Sequence, residues 1–92
     1  MESVKLKLKI LGEEYALKVD NKALTEEAGK RVQAGIQYFQ DEVPDLSAHK
    51  YPVLAAIQLA EKNIELEKHL ISLLSELERL NNLIEKTAEK TN

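Results

Sequence analysis

Residues 52–88 read PVLAAIQLAEKNIELEKHLISLLSELERLNNLIEKTA, and this stretch decides the fold. Leucines recur at Leu59, Leu66, Leu73 and Leu80, with a second line of Leu70, Leu77 and Ile84 interleaved between them. Alternating steps of three and four residues keep both lines on one face of a continuous helix. No glycine follows Gly35 and no proline follows Pro52, so nothing in the run breaks that helix. At the α-helical rise it extends roughly 55 Å, longer than a domain of this size is wide. The few residues left over cannot cover an apolar stripe of that length. The stripe is therefore expected to meet further copies of the chain, or a partner helix.

Taking the Leu59 line as heptad position d places Ala56, Asn63, Leu70, Leu77 and Ile84 at a. Asn63 there either fixes register and strand number, as polar a residues do in coiled coils, or sits at the edge of the head with a local hydrogen bond. Lys62 at g and Glu67 at e can pair across a parallel dimer near the start of the coil. Farther on the flanks are Leu74, Asn81 and Ala88 at e and Leu83 at g, and Ile57, Ile64 and Ile71 add a line at b. A face this wide suits a helix with more than one neighbour, as in a four-helix bundle. The expected oligomer interface comprises Leu59, Asn63, Leu66, Leu70, Leu73, Leu74, Leu77, Leu80, Leu83 and Ile84. It would hold a homodimer whose tails pair again into a homotetramer.

Pro52 lacks an amide hydrogen and fits the first turn of a helix, so the long helix is expected to begin at Lys50 or Tyr51. Upstream, Val4, Leu6, Leu8 and Ile10 alternate with Lys5, Lys7 and Lys9, which reads as a half-buried strand. Leu11-Gly12-Glu13-Glu14 interrupts it before Tyr15, Leu17 and Val19 resume the alternation, and a hairpin is the economical reading. The lysines solvate the outer face and blunt a sheet edge; without arginine or aromatic neighbours they make a weak nucleic-acid signal. Asp20 and Asn21 are candidate caps for a helix carrying Leu24, Ala28, Val32, Ile36 and Phe39, which ends before Pro44. Gly29 and Gly35 inside it mark either a loosened helix or a close backbone approach. The predicted class is α+β, with a hairpin-plus-helix head over residues 1–50 and one long oligomerisation helix over residues 51–92.

The 92 residues suffice for one domain, or a small head with a helical tail, and a chain this short gains stability by association. A net charge of −3 argues against nucleic acid as the main partner. The absence of cysteine excludes disulfides and thiolate metal sites and fits a reducing compartment. No unbroken apolar run suggests a signal peptide or membrane insertion, so a cytoplasmic protein is expected. His49 and His69 lack a second ligand at metal spacing, Ser72 and Ser75 lack a nucleophile context, and Gly12 stands outside any phosphate-binding loop. No enzyme activity, catalytic residue, metal or cofactor is expected.

Ile10-Leu11-Gly12-Glu13-Glu14-Tyr15-Ala16-Leu17, a short helix, and then Val53-Leu54-Ala55-Ala56-Ile57-Gln58-Leu59-Ala60 opening a long leucine helix resemble the ZapA-like proteins of bacterial cell division. The resemblance covers nearly the whole chain. Gln58 stands where asparagine is commoner in that pattern, and Pro52 where an ordinary helix former is usual. The resemblance implies a cytoplasmic dimer or tetramer at the division site, with heads that bind the tubulin-like GTPase FtsZ and cross-link or align its filaments. It also implies partner contacts through basic residues near the end of the first helix and the following connector. This chain carries Asp41, Glu42 and Asp45 there, so Lys30, Arg31 and Lys50 are the nearest basic candidates. The other reading is a generic coiled-coil adaptor whose hairpin binds an unrelated protein by strand addition.

Overall fold

The computed structural model describes residues 3–90, with side chains through residue 88. The element order is β1 (Val4–Ile10), β2 (Glu13–Val19), α1 (Lys22–Glu42) and α2 (Lys50–Lys90). The two strands form one antiparallel hairpin in which Val4 faces Val19, Leu6 faces Leu17, Leu8 faces Tyr15 and Ile10 faces Glu13. The intervening positions pair Lys5 with Lys18, Lys7 with Ala16 and Lys9 with Glu14. This is the expected α+β architecture of a hairpin followed by two helices.

The turn is shorter than the sequence suggests. Only Leu11 and Gly12 form it, both left-handed, with φ of 52° and 80°. Two successive positive φ values match the right-handed twist of the strands that the turn joins. Glu13 and Glu14 belong to β2, because Glu14 shares a sheet face with Lys7 and Lys9 and its carboxylate lies 3.5 Å from the Lys7 ammonium. An acidic pair reads as loop until the strand opposite is seen to be basic.

Asn21 caps α1: its Oδ1 accepts from the Leu24 amide at 3.1 Å, and the Thr25 amide donates to the Asn21 carbonyl at 3.1 Å. The helix ends at Val43, whose amide donates to the Phe39 carbonyl at 2.8 Å, one residue before Pro44. The described chain divides into two units, Met1–Leu59 and Ala60–Asn92. In the first, Ile36 of α1 and Tyr51 and Ala55 of α2 form a buried cluster, with Ile10, Val32, Phe39 and Leu46 packed against it. Both helix glycines serve close approaches. A Cβ on Gly29 would lie 3.1 Å from Leu8 Cδ2, and one on Gly35 would lie 3.2 Å from Ala55 Cβ. The second unit is the remainder of α2, a single unbroken helix.

Candidate functional site

The hairpin's two faces follow from its register. Leu6 is buried beneath α1 and Leu8 and Ile10 are half-buried, whereas Tyr15 and Leu17 on β2 stay 46% and 39% exposed. Among the described strand and helix pairs, α1 packs against β1. Half of the sheet's apolar face is thus open. The opposite face carries Lys5, Lys7, Lys9, Glu14, Ala16 and Lys18.

The backbone pattern identifies which edge of the sheet is free. A β-turn closes with a hydrogen bond from the amide of its last residue to the carbonyl of its first, so Ile10 and Glu13 form a hydrogen-bonded pair. Alternation then makes Lys9–Glu14, Lys7–Ala16 and Lys5–Lys18 non-hydrogen-bonded pairs, whose amides and carbonyls point outward. The Gln33 side-chain amide donates to the Lys9 carbonyl, one of those outward groups on β1. On β2, no hydrogen bond among the described residues reaches the outward groups of Glu14, Ala16 or Lys18. Lys5 and Lys18 face each other in a pair where Cα atoms lie about 4.5 Å apart, a repulsive arrangement. No carboxylate among the described residues comes within ion-pair distance of either.

The basic residues singled out from the sequence are exposed but not gathered into a patch by any contact. Lys30 and Arg31 lie side by side on α1, and the Arg31 guanidinium is taken by Glu27 at 3.7 Å. Lys50 opens α2, its amide bonded to the Ser47 carbonyl at 3.0 Å. The connector before it is held from below: the buried Tyr51 donates its hydroxyl to the Val43 carbonyl at 2.6 Å.

In the second unit the helix face stands uncovered. Every leucine from Leu66 to Leu83 is at least 41% exposed, and Ile71 and Ile84 are 67% and 65% exposed. Leu59 is half-buried within the first unit. Asn63 is exposed, and its side-chain amide donates to Glu67 at 3.4 Å, one turn on. Arg79 and Glu76 form a two-point ion pair at 2.5 and 3.3 Å, and that hydrogen bonding raises the Arg79 pKa above its ordinary value. Such exposed pairs solvate the polar side and add little stability. Among the described residues no group of three His, Asp or Glu is placed to hold a metal ion, and no helix is long and apolar enough to cross a membrane.

These features define a class: a small α+β protein with a hairpin-and-helix head and a long helix whose apolar face is exposed among the described residues. The chain belongs to the family of cell division protein ZapA, whose family model matches residues 6–91. Its fold is similar to a solved structure described as a ZapA mutant dimer from Geobacillus stearothermophilus. The two share 22% identity and a TM-score of 0.69 over 85% of this chain and 92% of that one. No curated protein sequence matches significantly. The family is one of non-enzymatic cell-division proteins.

Proposed function

We propose that this chain is a cytoplasmic scaffold of the bacterial division site, which binds filaments of FtsZ through its heads and cross-links or aligns them as a homodimer or homotetramer. The observation that carries the oligomeric part is the leucine face of the long helix, where every leucine from Leu66 to Leu83 is at least 41% exposed. An apolar stripe of that length calls for neighbouring helices to bury it.

Family membership supports FtsZ as the partner. In this reading residues 51–92 set valence and residues 1–50 set recognition, with Lys30, Arg31 and Lys50 offered for contact with an acidic filament surface. Linking several heads raises effective concentration, so weak single contacts suffice to bundle filaments. The deciding experiment is co-sedimentation of the full chain with polymerised FtsZ from the same organism. Pelleting with bundles is expected. An intact oligomer that neither pellets nor bundles would point instead to a generic coiled-coil adaptor.

A further inference from the structure

We infer that the head carries a second self-association surface, separate from the helix face: the outer edge of β2 pairs antiparallel with β2 of another copy, about a two-fold axis at Ala16. Two hairpins thereby join into one four-stranded sheet. The surface is self-complementary in each of the respects a strand pairing requires.

The first respect is register. β2 runs Glu13–Val19, so Ala16 is its midpoint and pairing about Ala16 overlaps the whole strand. The axis residue must point its amide and carbonyl outward for the central pair to be hydrogen-bonded, and Ala16 does, being opposite Lys7 in a non-hydrogen-bonded pair. The second is charge. Pairing about Ala16 sets Glu14 opposite the partner's Lys18 and Lys18 opposite the partner's Glu14, two attractive pairs. It brings a carboxylate to Lys18, which within one chain faces only Lys5. The third is the apolar face. Tyr15 comes opposite the partner's Leu17 and Leu17 opposite the partner's Tyr15, joining the two residues that α1 leaves open. An aromatic beside an aliphatic is among the favourable cross-strand pairs.

A one-residue slip and a slip toward the end of β2 fail on the same tests. A slip of one residue would set apolar positions opposite charged ones, because side chains alternate faces. A slip of two, centred on Leu17, would bring Glu14 against the partner's Asp20 and shorten the overlap. Pairing through β1 would stack Lys5, Lys7 and Lys9 against one another, and Gln33 already occupies the Lys9 carbonyl. One edge is guarded and the other is matched to itself.

The chain has no cysteine, so a single introduced thiol reports this contact alone. In a hydrogen-bonded antiparallel pair the Cα atoms stand about 5.5 Å apart, within the range a disulfide spans. Full-length Ala16→Cys should therefore form a covalent dimer under mild oxidation. Lys7→Cys, one strand farther out, should not, because its two copies would stand three strand spacings apart, about 14 Å. Adding Lys18→Glu to Ala16→Cys should slow cross-linking roughly tenfold by setting two carboxylates opposite each other twice. That change does not weaken the hairpin itself, since Lys5 then faces a carboxylate. Adding Glu14→Lys as well restores the match between copies and should recover part of the rate, the remainder being lost with the carboxylate that meets Lys7 within the hairpin. Ala16→Cys linking no faster than Lys7→Cys, or a rate indifferent to Lys18→Glu, would overturn the inference. Light scattering on the same samples separates this from the helix-mediated oligomer: an unchanged mass with no cross-link rejects the head pairing alone.

Discussion

Gly35 on α1 lies against Ala55 on α2 so closely that a Cβ on the glycine would stand 3.2 Å from the alanine's. Ala55 is fully buried and has no rotamer with which to retreat. Gly29 makes an approach of the same kind to Leu8, but there the obstructing atoms are the ends of a flexible side chain. The two glycines therefore respond differently to the same change. Gly35→Ala gains about 1 kcal/mol of helix propensity and loses about 1–3 kcal/mol to overpacking. A net fall in melting temperature of about 5 °C is expected at fixed protein concentration. Gly29→Ala should hold or raise it. A Gly35→Ala protein that melts above the unmodified chain would contradict the tight helix contact.

The Tyr51 hydroxyl is the one side-chain tie between α2 and the end of α1 among the described hydrogen bonds. Tyr51→Phe removes that donor and leaves the Val43 carbonyl without it, at a cost of about 1 kcal/mol. Urea unfolding should register the loss as a lower midpoint at unchanged slope. Amide exchange should quicken over residues 43–50, while the Leu77 region keeps its protection.

Leu11 holds φ of 52°, a conformation that disfavours side chains with a Cβ and is ordinarily filled by Asn or Gly in such turns. Leu11→Asn turns Leu-Gly into Asn-Gly and should stabilise the head by about 1 kcal/mol, seen as a higher thermal midpoint. A destabilised variant would mean that the half-exposed leucine side chain contributes more packing than its backbone costs.

Leu77→Glu places a charge in the middle of the exposed helix stripe. Multi-angle light scattering should show dissociation of at least one interface, with mass falling about twofold as a tetramer becomes a dimer or a dimer a monomer. Circular dichroism should show the head's folded signal intact. Unchanged mass would remove the helix face from the assembly.

The parts of this fold that follow period were legible in the sequence, and those that follow partners were not. Period two placed Leu6 and Leu8 on the covered face of β1, and the seven-residue leucine spacing led to one unbroken helix. Pro44 and Pro52 set the ends of the connector through their own backbone limits. An acidic pair does not show its strand by itself: Glu14 takes its place through Lys7 and Lys9 across the sheet, and Glu13 through its pairing with Ile10 beside the turn. Gly29 and Gly35 could not be separated from ordinary helix loosening, since the contacts that require them come from Leu8 and Ala55, distant in sequence. Lys30, Arg31 and Lys50 stand out by charge and sequence position alone, and no contact among the described residues gathers them. The repulsion between Lys5 and Lys18 and the open edge of β2 depend on register, which composition does not reveal.

A sheet that accepts a strand on one side usually offers another on the far side, and such pieces can stack without end. Here the far side repels its own kind at Lys5, Lys7 and Lys9, so whatever docks at β2, growth stops there. Association of these heads through β2 would then end in counted, finite pieces rather than in a fibre.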